Sequence, residues 1–346
     1  MTAVPAGAMP VRIGPWSLLL RPRLIVTSAG LLGLAAGILL LSLCLGDTTI
    51  PPEHVVRAFT PDAPRLDRMV VVEWRAPRAV AALVFGACLG VSGAIFQSLT
   101  DNPLGSPDVI GLNTGAFSGV LVVMLLGGAG AGAIAGGAVL GGLLTAGLVY
   151  ALAYRGGLQG FRLIIVGIAV SAMLASANTW FSVKAALDVS MQAAVWGAGT
   201  LTGLRWGGLA AVGMGGALLL LTLPWLSRWM RALELGDDTA AVLGVRTEVA
   251  KAVLVVVGVV LTSMVTAVAG PIAFIALAAP QIARRLRRSG SFDPIGSGLV
   301  GMLLLGGADL IAQHAVPGGR LPVGAVTVCI GGGYLVWLLL REGRRA

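Results

Sequence analysis

The chain has 346 residues, of which 57% are hydrophobic and 11% charged, with a mean hydropathy of +0.92. A soluble domain carries about 25% charged residues, so this composition lacks the polar surface to coat a water-soluble globule. The formal net charge is +9, but the arginines sit at the ends of apolar runs rather than on one basic face. That excludes a nucleic-acid footprint and points to membrane topology.

Crossing about 30 Å of hydrocarbon takes about 20 apolar residues in a helix, and the chain offers about ten such runs. Arg12, Arg21 and Arg23 precede the first, Leu24–Leu45. This run exceeds the core of a signal peptide and no small-residue cleavage site follows it, so an uncleaved helix behind a cytoplasmic tail, residues 1–23, is expected. A polar stretch, Gly46–Arg78, carries Pro51, Pro52, Pro61 and Pro64. Helices are then predicted over Ala79–Leu99, Val109–Leu126, Ala131–Ala153 and Leu163–Val183. A short helix outside the membrane is expected around Met191–Ala198. Spans at Leu209–Leu226, Ala252–Val268, Ile272–Ile282, Gly296–Ala312 and Val323–Leu340 complete the set.

With ten spans both termini share a side. Sixteen of the 24 Lys and Arg residues fall on that side, among them Arg155, Arg162, Arg228, Arg231, Arg284, Arg285, Arg344 and Arg345. Five of the rest lie in the one long opposite loop: Arg57, Arg65, Arg68, Arg75 and Arg78. Because short loops carry the positive-inside signal, both termini are expected to be cytoplasmic. Gly127–Gly142 is dense in glycine without a lysine or a preceding strand, so close helix packing explains it better than a phosphate loop.

The counts also limit the chemistry. The only lysines, Lys184 and Lys251, end no G-x-x-x-x-G-K-[ST] loop, so any ATP that drives this chain binds elsewhere. Cys44, Cys88, Cys329, His54 and His314 are isolated, and packing explains them better than metal or redox chemistry. Asp309 is the one acid well inside a span. A lone carboxylate gives weak support for proton coupling, and a bond to neighbouring polar atoms is the plainer reading.

Two polar breaks stand out. In Arg231–Arg246, Asp237 or Asp238 can cap a short helix that Gly244 can end. Its apolar residues Ala241, Val242, Leu243 and Val245 suit either a docking surface for a soluble partner or a connector lying on the membrane. The other break, Thr100–Asp108, contains Asp101, Asn102, Pro103 and Pro107, and fits either a helix connector or the mouth of a pathway.

The segment VSGAIFQSLTDNPLGSPDVIG (91–111) resembles the signature of FecCD-type permeases, the membrane subunits of ABC importers for iron–siderophores and vitamin B12. So do RAPR (75–78), LGDDTAAVLGV (235–245), GPIAFIALAAPQIAR (270–284) and LPVG (321–324). They occur in family order over nearly the whole chain. The resemblance implies one all-α domain, residues 1–346, with the type II importer fold of about ten transmembrane helices. It further implies a second permease subunit, two ATPase subunits and an extracytoplasmic binding protein or lipoprotein.

On that resemblance Arg75 and Arg78 would meet acidic residues of the binding protein. Gly236, Asp237, Asp238, Ala241, Leu243, Gly244 and Val245, within a coupling region at 233–247, would receive the ATPase. Asn102 and Leu104 match one cytoplasmic gate position, with Gly160 and Phe161 at a second. No cofactor is expected in this chain, since ATP and Mg would be bound by the ATPase, and no reaction is catalysed here. Gly160 and Phe161 replace small hydroxyl residues of the vitamin B12 permease. Gln313 stands where an arginine can occur, and Arg320 replaces a common acid. SPDVIGLNTGAFSG and IGGGYLVWLL lie closer to ferric-enterobactin-type permeases, favouring ferric siderophores, including catecholates, and a related chain as second permease. A vitamin B12 or heme importer permease and a proton-coupled secondary transporter stay open as alternatives.

Overall fold

A computed structural model describes residues 9–342 apart from 14, 15, 21, 62, 129, 156, 158, 289, 317 and 318. Arg21, Arg344 and Arg345 of the charge tally lie outside the described residues. In the expected tail, β1 (Met9–Ile13) pairs antiparallel with β2 (Trp16–Leu20), Met9 opposite Leu20. The rest is helical.

Helix α1 spans Pro22–Cys44, and α2 spans Pro52–Arg57. Helix α3 (Arg65–Arg68) runs through a π-helical turn, Met69–Arg75, into α4 (Ala76–Thr100). The stretch before Ala79, expected as loop, is therefore helical from Arg65 onward. Within the π turn the Val72 carbonyl accepts the Trp206 indole N–H at 2.8 Å, so the widened turn is tied to a neighbouring helix.

Next come α5 (Leu112–Leu125), α6 (Ala131–Ala153), α7 (Gly160–Lys184) and α8 (Leu187–Gly197). The run expected as one span, Leu209–Leu226, is two helices: α9 (Trp206–Leu221) and the amphipathic α10 (Leu223–Leu233). Pro224, lacking an amide donor, sits in the first turn of α10, where no donor is needed. The chain continues through α11 (Asp237–Val242), α12 (Thr247–Ala269), α13 (Ile275–Arg287), α14 (Pro294–His314) and α15 (Val323–Glu342).

Six of these helices are long and apolar enough to cross a membrane: α1, the continuous Arg65–Thr100 helix, α6, α7, α12 and α14. The other predicted spans are present as helices too: α5, α9 and α13 are shorter, and α15 covers Val323–Glu342.

Helix α4 forms the centre. Its apolar stretch is almost wholly buried, and glycines let neighbours approach at backbone distance. A Cβ on Gly86 would strike the Gly301 carbonyl of α14, and one on Gly93 the Ala276 carbonyl of α13. The expected role of the glycine-dense run holds in the same way. Gly137 and Gly141 of α6 meet the backbone of Gly119 and Gly115 of α5. Between helices in lipid, such contact supplies the dispersion that hydrophobic burial cannot.

Candidate docking, gate and coupling sites

At the N-terminal end of α4, Arg78 faces inward and is 8% exposed. Its Nε and Nη2 donate to Asp309 Oδ1 of α14 at 3.0 and 2.8 Å, and Gln313 Nε2 donates to Asp309 Oδ2 at 2.8 Å. A guanidinium matches a carboxylate at two points, and a buried charge must be paired in this way. Arg78, expected with Arg75 to meet the binding protein, has its charge paired inside the helix bundle in this structure. Asp309 is the partner-bonded acid that the plainer reading expected.

Arg75 is half-buried and donates to the carbonyls of Leu43, Cys44 and Thr48. It lines a cavity of about 350 Å³ with Asp47, Trp74, Gln313 and Arg320. Arg320 and Asp47 form an exposed pair at 2.6 Å across that cavity. Asp47 carried no signal in the sequence, because its partner is 273 residues away.

At the opposite end of α4, Asp101 takes a left-handed conformation (φ 45°) and ends the helix. Asn102 Oδ1 accepts the Leu104 N–H at 2.8 Å, closing a tight turn that leaves Leu104 exposed. The second expected gate position, Gly160, abuts the end of α4 just before that turn. A Cβ on Gly160 would strike the Thr100 backbone, so only glycine fits at the start of α7, and Phe161 beside it is exposed. Farther along the connector, Asp108 accepts from Asn113 Nδ2 and from the Phe274 N–H. Although part of Asp108 reaches the surface, desolvation pushes its carboxyl up to about 6, with the Phe274 N–H pulling the other way.

Helix α11 forms where the sequence places it, but its start differs. Gly236, at φ 95°, takes the cap position, while Asp237 and Asp238 fill the first turn, where acids suit the helix dipole. Asp237 serves a tether instead of a cap, accepting from Lys251 Nζ of α12 at 2.6 Å. The end is as expected. Gly244 (φ 84°) donates to the Ala241 carbonyl, and Val245 donates back to Ala240. Ala240 is buried against the bundle and Ala241 and Gly244 are exposed. Val242 and Leu243 stand 88% and 62% exposed. The two apolar side chains are thus held outward on a helix tethered to the bundle.

The chain matches the FecCD transport family over residues 34–341. The ferric enterobactin transport system permease protein FepG of Escherichia coli is 50% identical over 87% of this chain and 91% of its own length. The iron(3+)-hydroxamate import system permease protein FhuG of Bacillus subtilis is 33% identical over 87% and 92%. Among solved structures, a metal-chelate type ABC transporter in an inward-facing conformation superposes with a TM-score of 0.81. At 21% identity it covers 92% of this chain and 99% of that one, and so establishes the fold. With motifs, match and fold in agreement, the chain belongs to the FecCD transport family.

Proposed function

We propose that this chain is the membrane permease subunit of an ATP-driven importer for ferric siderophores, catecholates such as enterobactin foremost. The 50% identity to a ferric enterobactin permease over nearly the full length carries the reading. The subunit crosses the cytoplasmic membrane of a bacterium ten times with both termini inside. It pairs with a related permease chain, receives cargo from an extracytoplasmic binding protein, and docks two ATPase subunits that bind ATP and Mg. It makes and breaks no bonds itself. Binding energy at the ATPases shifts the helices between outward- and inward-open states in proportion to the difference in affinity for the two.

In this reading Val242 and Leu243 at the end of α11, with Leu235 just before it, contact the ATPase, supported by the exposure of all three. The neighbouring Asn102–Leu104 turn and Gly160–Phe161 form the cytoplasmic constriction. Docking charge on the outer face rests on Arg75, since Arg78 is paired to Asp309 inside the bundle and Arg320 to Asp47. The proton-coupled alternative loses its best candidate, because the Asp309 carboxylate is held by Arg78 and Gln313 rather than standing free.

The test is purification of the tagged chain from its native host, followed by reconstitution of the complex in liposomes with labelled ferric enterobactin. Co-purification of an ATPase and ATP-dependent uptake are expected. A chain that purifies alone and transports on a proton gradient would overturn the proposal. Uptake competed away by vitamin B12 or heme would reassign the cargo.

A further inference from the structure

The gate connector is bonded to α13 at two places. Near the middle of α13, Gln281 Nε2 donates to Gln97 Oε1 at 2.7 Å and to the Pro103 carbonyl at 3.3 Å. Gln97 Nε2 in turn donates to the Leu277 carbonyl at 3.0 Å, and both glutamines are buried. At the start of α13, the Phe274 N–H donates to Asp108 Oδ2 at 3.2 Å. Phe274 holds a left-handed backbone (φ 68°), a strained state for a non-glycine residue that surrounding contacts must maintain. Pro103 lies between Asn102 and Leu104, so α13 grips the gate turn itself.

The other end of α13 points to the coupling segment. The Arg284 guanidinium sits 4.5 Å from the centre of the Phe292 ring, a cation–π distance. The Phe292 N–H donates to Glu234 Oε1 at 2.8 Å, and Glu234 lies two residues before the Gly236 that opens α11. Burial raises the Glu234 carboxyl above its ordinary value, with the Phe292 N–H and Arg284 opposing that shift. Arg287, also buried, is fixed to Asp293 at 2.8 Å, which holds the link between α13 and α14. Gln97, Gln281 and Arg287 are buried, and polar groups buried in this way are costly to separate.

We propose that α13 is the strut that carries movement of the ATPase-docking helix to the gate turn, with Arg284 as its input contact and Gln281 as its output. These are positioning residues, and the proposal rests on the importer reading above. If the contacts act in series, breaking either uncouples ATP hydrolysis from transport, and breaking both does little further harm. Removing coupling contacts of this kind changes the linkage by about twofold to thirtyfold.

The experiment uses the whole complex in liposomes and measures ATP hydrolysed per labelled ferric enterobactin imported, for wild type, Arg284→Ala, Gln281→Met and the double variant. A rise of about twofold to thirtyfold in that ratio is expected for each single variant. The double should match the worse single, with ATPase subunits still recovered. Ratios equal to wild type, or effects that multiply in the double, would overturn the strut. Should Gln281→Met fail to assemble, Gln281→Glu, of the same shape, gives the same comparison. If the wild-type complex shows no ATP-driven uptake, the importer reading fails, an outcome distinct from failure of the strut.

Discussion

Arg78 and Asp309, 231 residues apart in the chain, form a two-point ion pair in which the carboxylate is 1% exposed. The pair joins α4 to α14 at the end of the bundle that carries Arg75, and Gln313 completes the shell of the carboxylate. Removing one partner of a buried pair leaves an uncompensated charge. Asp309→Asn is therefore expected to destabilise the purified protein by about 3–5 kcal/mol, seen as a lowered thermal midpoint in detergent. The double replacement Arg78→Met with Asp309→Leu should recover most of that loss. A wild-type midpoint for Asp309→Asn would remove the pair from the list of structural supports.

Gly160 sits where a side chain would collide with the Thr100 backbone. Gly160→Ala is expected to cost about 1–3 kcal/mol through overpacking and to reduce uptake by separating the two gate segments. Uptake assays with thermal melts of the same variant check both effects. Full activity would mean that the segments part freely at this point.

Leu243 is exposed and makes no core contribution, so Leu243→Asp should leave the fold intact. A charge placed in an apolar contact should weaken ATPase recovery, by about tenfold if Leu243 is an anchor of that interface. Quantitative co-purification measures this. Unchanged recovery would move the docking surface off α11.

The Asp108 carboxyl, pushed up to about 6, has a folded value above its unfolded one. The ionised form is penalised in the fold, so this residue favours stability fully at low pH and loses that contribution as pH rises from about 4 to about 6. Asp108→Asn cannot titrate. The difference in thermal midpoint between wild type and variant should therefore shift against wild type across that range and stay flat above it. Parallel pH profiles would refute the assignment.

Local features were legible because local physics sets them. Helix α6 matches its predicted bounds of Ala131–Ala153, and α12, α14 and the short α11 lie within a few residues of expectation. Apolar run length, helix-ending glycines and acids in a first turn all act within a few residues. Each misreading has a physical cause as well. The helical start at Arg65 was hidden because a charged, proline-bearing stretch looks like loop whether or not it stacks on a buried helix. The division of α9 from α10 was hidden because a leucine-rich run stays apolar across a break.

By itself the sequence determined a polytopic helical chain, the ends toward which its arginines gather, and a short helix between two spans that ends at Gly244. Tertiary structure decided which arginine is spent and which groups are joined: Arg78 with Asp309, Gln97 with Gln281, Gly160 with Thr100. The reason lies in the solvent. In a membrane, core-facing and lipid-facing side chains are about equally apolar, so hydropathy cannot tell them apart. The Arg65–Thr100 helix and α7 both pass as spans, yet 89% of the apolar stretch is buried in the first and 17% in the second. Only packing reveals which face of each helix is spoken for, and only there do residues hundreds of positions apart become partners.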